Sequence, residues 1–196
     1  MKTLLMGAAA AAALAVPMAG AQTLRMGVGA QITSTDPHFH NISPNNAFAS
    51  MVFDNLIETD DRARTIPGLA ESWRPTGEDV WEFRLRRGVQ FHNGQDFTAE
   101  DVAFTLERIP QVVNSPGSFR TYTQAISGVE IADPYTIRFR TNGPAPTLPN
   151  YIAMVPMLDR QTHQGATTED FNAGRATIGT GPYRMTQHRP GERIEL

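Results

Sequence analysis

The chain has 196 residues, with 20 acidic side chains against 17 lysines and arginines and a formal net charge of −3. It has no cysteine, which excludes disulfides, a thiolate nucleophile and thiolate metal sites. An acidic balance without a basic run argues against nucleic acid or an anionic membrane as partner, and the 16 glycines and 14 prolines, spread along the chain, suit a loop-rich α/β or α+β architecture.

Met1-Lys2 supplies a positive start, Leu4 to Val16 is an uncharged apolar run, and Pro17 breaks it before Ala19-Gly20-Ala21. This order predicts a secretory signal peptide over residues 1–21, cleaved after Ala21, and therefore a periplasmic protein. The apolar run falls short of the ~20 residues that span a bilayer. A lipoprotein anchor would need a cysteine at the cut. Lys2 is the only lysine, so all remaining cations are arginines, a bias that GC-rich coding explains. The mature chain would begin at Gln22 with a net charge of about −4.

Thr23 to Gly29 alternates Leu24, Met26 and Val28 and predicts a first strand, followed by a polar loop over residues 30–46. Helical spacing resumes over Asn46 to Ile57, with Phe48, Val52 and Leu56 on the apolar face. Trp81 to Arg86 reads as a strand with Trp81, Phe83 and Leu85 on one face and Glu82, Arg84 and Arg86 on the other. Asn93-Gly94 marks a turn, and Thr98 caps a helix over Ala99 to Ile109, with Asp101 as its capping-box partner and Pro110 as its stop. A second hairpin runs from Val129 and Ile131 through Asp133-Pro134 to Tyr135, Ile137 and Phe139. Leu148 to Met157 reads as a short helix leading into an extended segment. Gly179 to Tyr183 then opens a strand reaching about Arg189, and Pro190-Gly191 turns the chain into Arg193 to Leu196. The sequence ends inside that last strand, whereas termini usually follow an element, so a truncated product or a partial record is expected.

Enzyme chemistry is mostly excluded by subtraction. Without lysine or cysteine after the leader there is no Schiff base, P-loop lysine or cysteine nucleophile. Neither a Gly-x-Ser-x-Gly elbow nor a His-Glu-x-x-His zinc helix occurs. His38-x-His40 beside Asp36 is the one candidate metal cluster, because side chains at i and i+2 of an extended loop point the same way. The alternative is a polar loop whose histidines hydrogen-bond locally. His92 reads as a turn or edge residue, while His163 and His188 lie in polar surroundings without an evident partner. Trp81 belongs with the core face, and Trp73 is as well placed for a ligand as for the core. Asp36 and Asp54 are the carboxylates that a secreted hydrolase would use.

Three segments carry a resemblance: Pro67-Gly68-Leu69-Ala70-Glu71-Ser72-Trp73, the run from Trp81 to Gly94, and Phe97-Thr98-Ala99-Glu100-Asp101-Val102. Together they resemble the family 5 extracellular solute-binding proteins of ABC importers, the dipeptide, oligopeptide and nickel-binding group. Thr35-Asp36-Pro37-His38, Val52-Phe53-Asp54-Asn55-Leu56, Gly179-Thr180-Gly181-Pro182-Tyr183 and Pro190-Gly191-Glu192-Arg193-Ile194 extend the match from Leu24 to the end. The resemblance implies an α/β, periplasmic-binding-protein-like (type II, two-lobed) fold. In it, residues 22–45 and 150–196 form the first lobe, 46–149 form an inserted small α+β domain, and the second lobe is missing. It implies a non-enzymatic, monomeric carrier without cofactor, which hands a peptide-like solute to membrane permease subunits. Nickel, haem, glutathione, sugar or another small solute are the alternatives within the group, and His38 and His40 would be the residues to serve nickel. The ligand-facing residues it implies are Ala30, Gln31, Ile32 and Thr33, in the loop after the first strand, and Gly179, Thr180, Gly181 and Tyr183. The signature segment around Trp81 to Asn93 reads as scaffold.

Overall fold

The structure is a computed structural model that describes residues 24–27 and 29–196. The predicted signal peptide and its cleavage point lie outside the described residues. Leu24 to Gly27 is exposed irregular chain rather than the predicted strand. A strand needs a neighbour for its N–H and C=O groups, and no described strand pairs with this segment.

The first helix, α1 (Ser43–Val52), begins three residues earlier and ends five earlier than the apolar spacing predicts. Pro44 sits in its first turn, where the fixed φ of proline suits a helix start. Beyond Val52 the backbone is claimed by distant partners. Met157 N–H donates to the Asp54 carbonyl (2.9 Å), Leu69 N–H to Asn55 (2.9 Å) and Ala70 N–H to Leu56 (2.8 Å). Tertiary pairing therefore overrides helical spacing there, and Ile57–Thr59 becomes β1, paired with β2 (Thr65–Pro67).

The main sheet has four antiparallel strands in the order β3 (Ala70–Pro75), β4 (Val80–Leu85), β6 (Thr136–Thr141), β5 (Ile126–Asp133). Its register sorts the two faces. Trp73, Phe83, Ile137 and Ile131 lie in one row, with Trp81, Phe139 and Val129 in the next. Phe83 and Phe139 are fully buried, with ring centroids 4.6 Å apart. On the opposite face Glu82 takes a hydrogen bond from Arg74 (3.0 Å) and one from Arg138 (3.0 Å), so the predicted alternation along β4 is realised as apolar core against charged ladder. Trp81 and Trp73 are both partly buried against this core.

Helix α2 (Ala99–Arg108) covers the apolar face with Val102, Leu106 and the following Ile109. The capping box forms as the sequence predicts, with Thr98 N–H donating to Asp101 Oδ2 at 2.8 Å. Acidic residues in its first turn and Arg108 in its last both suit the helix dipole. The remaining elements are α3 (Arg120–Thr123), α4 (Leu148–Ile152), α5 (Arg160–His163), α6 (Thr168–Asn172), and the hairpin β7 (Gln187–Arg189) with β8 (Arg193–Glu195). A second apolar cluster, of Phe48, Ala49, Val52, Phe53, Leu158, Phe171 and Ala176, lies between α1 and α6.

One side chain joins the two clusters. Arg108, at the end of α2, reaches Asp36 through both guanidinium nitrogens (2.7 and 3.1 Å), with its carbon 4.8 Å from the centre of the Phe171 ring. The pair is nearly dry, with Asp36 0% and Arg108 9% exposed in their side chains. Thr168 adds a hydroxyl bond to Asp36 (2.7 Å). Arg108 also donates to His38 Nδ1 (3.2 Å), which leaves Nε2–H to donate to the Pro156 carbonyl (2.8 Å) and fixes the neutral tautomer. Burial first, then the Arg108 cation, holds His38 down to about 3. Burial alone pushes the Asp36 carboxyl up, but the bonds and charge of Arg108 outweigh it and leave it below the ordinary carboxylate value.

Two outcomes are expected. Phe83→Ala should cost about 3–5 kcal/mol in urea unfolding, as for a buried aromatic removed from a packed core. Arg108→Met should destabilise by a comparable ~3–5 kcal/mol, because it strands the Asp36 charge in a dry site. The lowered histidine and the lowered carboxylate act in one direction, since the unfolded chain binds these protons first on acidification. The thermal midpoint should therefore fall as pH drops from the ordinary histidine range towards 3. His38→Gln should flatten that limb in calorimetry across the same pH series.

Candidate functional site

The polar loop before α1 is held from three sides. Asn45, buried at the start of α1, accepts from Thr33 N–H (2.9 Å) through Oδ1. Its amide donates to Thr33 Oγ1 (3.1 Å) and to the His40 carbonyl (3.2 Å). Ile32 packs against the second apolar cluster, and the Gln31 amide lies over the β7–β8 turn, where a Cβ on Gly191 would sit 3.2 Å from it. Further along, Ser34 and Thr35 bond to Asn172 and Phe171 of α6. Just before these anchors Ala30 and Gln31 are exposed, and among the described residues the main-chain groups of Ala30 to Ile32 have no hydrogen-bond partner. This stretch therefore presents N–H and C=O groups that are open to solvent and to a ligand.

Beside it runs a wall that the sequence did not reveal. His40 bridges Gly117, and Asn41 N–H donates to the Gly117 carbonyl (2.9 Å). A side chain at residue 117 would bring its Cβ to 3.1 Å from the His40 ring, so glycine allows the close approach. Asn41 also donates to the Tyr122 hydroxyl (2.7 Å), and the Tyr122 ring lies 6.3 Å from that of Tyr151, which is partly exposed.

Gly179 to Tyr183 lies at the other end of α1. Gly181 N–H donates to the Val52 carbonyl and Tyr183 N–H to the Met51 carbonyl, both at 2.9 Å, so the segment satisfies carbonyls that the helix end would leave open. His92 clamps it from the opposite side. His92 N–H donates to the Gly179 carbonyl, Nδ1 accepts from Gly179 N–H, and Nε2–H donates to the Gly181 carbonyl. A Cβ at Gly181 would come within 2.6 Å of the Val52 carbonyl carbon. The main chain of Gly179 and Gly181 is thus spent on the scaffold. What faces outward is the half-exposed Tyr183, while the Thr180 hydroxyl is buried without a partner among the described residues. Asn45 and Val52 are seven residues apart on α1, which separates the two predicted segments by about 10 Å along its axis.

His38 and His40 do not converge: His38 is buried against Arg108 and Pro156, while His40 turns towards Thr33 (3.2 Å). Among the described residues no group of three or more His, Asp or Glu side chains is placed to hold a metal. Asp36 is committed to Arg108. Asp54 sits near Glu58, whose carboxyl is raised by burial and then by the Asp54 charge, despite the bond it takes from Asn55 N–H. His163 is not in polar surroundings, as its neighbours in sequence suggest. It is buried, stacked on Phe171 at 5.1 Å, with its two nitrogens against the Asp159 and Ala176 carbonyls. His188 likewise has a partner, the Asn172 carbonyl (2.8 Å).

The family model for bacterial extracellular solute-binding proteins, family 5, middle region, matches residues 64–196. The periplasmic oligopeptide-binding protein OppA of Haemophilus influenzae is 27% identical over 192 residues, which takes in 86% of this chain and 34% of that protein. The glutathione-binding protein GsiB of Salmonella choleraesuis is 28% identical over 172 residues, 87% of this chain and 33% of its own. Among solved structures, NikZ of Campylobacter jejuni in complex with Ni(L-His) superposes with a TM-score of 0.72 at 26% identity, over 84% of this chain and 33% of NikZ. The chain thus spans about a third of the length of these relatives. Its mixed α/β architecture is that of the two-lobed periplasmic binding proteins, as the resemblance implies. With a match over two thirds of its length and neighbours that share both sequence and fold, the chain belongs to the bacterial extracellular solute-binding proteins of family 5.

Proposed function

We propose that the chain is part of a periplasmic, non-enzymatic carrier that captures di- and oligopeptides and passes them to the permease of an ABC importer. The observation that carries this reading is the row of exposed main-chain groups at Ala30 to Ile32, which have no partner among the described residues and lead into the anchors at Ile32 and Thr33–Asn45. Fixed backbone donors and acceptors suit an extended peptide, because they read its main chain and leave its side chains unspecified. The Tyr122–Tyr151 wall and the exposed Tyr183 would seat those side chains, since aromatic rings combine apolar area with a polar tip. Groups from outside these 196 residues would complete the enclosure, and capture would proceed by closure of one part of the protein over another.

Relatives named for oligopeptide, glutathione and a nickel complex keep the alternatives within one class. For nickel, His40 is the half-exposed imidazole next to Thr33, whereas His38 has both ring nitrogens engaged. A thermal-shift panel on the full-length gene product, with di- to hexapeptides, glutathione and nickel with histidine, separates them. Peptides should raise the midpoint without being cleaved. Asn45→Ala should then weaken peptide affinity roughly tenfold, equivalent to about 1.4 kcal/mol, by releasing the loop. Peptide hydrolysis, or a midpoint that moves only with nickel or glutathione, would sink the reading.

A further inference from the structure

Glycine follows asparagine twice in the chain, at Asn93-Gly94 and at Asn142-Gly143. Both glycines hold a left-handed φ, +86° and +122°, which other residues avoid, so the two turns require them. The pairing has a chemical consequence. An asparagine side chain can close a five-membered ring onto the main-chain nitrogen of the next residue, and glycine puts no Cβ beside that nitrogen. Asparagine is among the thermolabile residues for this reason. Both asparagines are exposed, so access of water does not separate the two sites. Their hydrogen bonds do.

At Asn93 both reacting groups are occupied. The amide nitrogen donates to Asp159 Oδ2 (2.7 Å) and to Thr162 Oγ1 (2.8 Å), while the amide oxygen accepts from Gln95 N–H (3.0 Å). The nitrogen that would attack, Gly94 N–H, donates to the Phe91 carbonyl (2.9 Å). Reaction there must wait until the turn opens and these bonds break.

At Asn142 the same groups are open. The side chain makes one long bond, from Nδ2 to the Gln124 carbonyl (3.3 Å). Among the described residues neither its Oδ1 nor the Gly143 N–H has a partner. The frame around them is held, because Asn142 N–H donates to the Ala125 carbonyl (2.9 Å) and the Thr141 hydroxyl to the Gly143 carbonyl (2.7 Å).

We propose that Asn142 is a site of spontaneous modification, which passes through a succinimide to aspartate and isoaspartate, and that the fold protects Asn93 from the same reaction. The Gly143 nitrogen gives up its proton and bonds to Asn142 Cγ, the Cγ–Nδ2 bond breaks, and ammonia leaves. Water then opens the ring at either carbonyl, and nothing is oxidised or reduced. Both products disturb the contacts at this turn. A carboxylate cannot donate to the Gln124 carbonyl, and isoaspartate lengthens the main chain by one carbon beside the Asn142–Ala125 bond. Gln124 closes α3, the helix that carries Tyr122, so the change falls next to the aromatic wall. The proposal does not depend on what that wall binds.

Peptide mapping by mass spectrometry tests this on the full-length gene product aged in warm, mildly alkaline buffer, with enzymatic methylation to mark isoaspartate. In the folded protein Asn142 should convert about tenfold faster than Asn93 or more, because only Asn93 depends on local opening. In urea the two sites should convert at nearly one rate, since the reacting dipeptides are identical. Amide exchange at residues 124–126 should quicken in the aged protein, and Asn142→Gln should prevent that change. Equal conversion at the two sites in the folded protein, or slower conversion at Asn142, overturns the proposal. A difference that persists in urea overturns it as well, because the fold is then not its cause.

Discussion

The Arg108–Asp36 pair is the constraint on which the rest of the arrangement rests. It stands where the two apolar clusters meet, and each half belongs to a different one: Arg108 ends the helix over the sheet, while Asp36 lies in the loop bound to α6. A nearly dry ion pair is seldom a net gain over apolar side chains of the same shape, because both charges must leave water. What it supplies is direction. A guanidinium bonded through two nitrogens and stacked on Phe171 accepts one orientation of its carboxylate, which a lysine could not enforce. Asp36 is thereby fixed, and with it the residues just before it. The exposed main chain of Ala30 to Ile32 leads into a loop that these bonds anchor from Thr33 onward.

Much of the fold was legible in the sequence, for local reasons. The Trp81–Leu85 alternation, the Thr98–Asp101 cap and the turn at Asp133-Pro134 all depend on residues within a few positions of one another, and each is realised. Where the reading failed, distant atoms decided the outcome. The end of α1 is set by carbonyls that residues 69, 70 and 157 require, and Leu24 to Gly27 lacks a neighbouring strand.

The candidate site was legible only in outline. The sequence singled out both the loop near Thr33 and the Gly179–Tyr183 turn, and α1 sets them within about 10 Å of each other along its axis. Their characters differ. Ala30 to Ile32 have no main-chain partner among the described residues, whereas the glycines of the turn serve close packing on Val52 and a clamp by His92. Asn45, Arg108 and Tyr122 went unrecognised because nothing in their neighbours announces their role. Asn45 precedes another asparagine at a helix start, Arg108 reads as a last-turn cation, and Tyr122 lies in a four-residue helix. The histidines show the same limit, since His163 sits among polar neighbours in sequence and apolar ones in space.

The loop that carries the free backbone is also the part of the chain that must wait longest for its partners. Ser34 and Thr35 bond to residues 136 to 138 positions downstream, Asp36 to Thr168 at 132 and to Arg108 at 72. Closing loops of that length is entropically slow, and its reward comes only when the last partner arrives. During synthesis Ser34 and Thr35 therefore lack their α6 partners until Asn172 has been made. The contacts that anchor the finished loop are the ones the nascent chain acquires last.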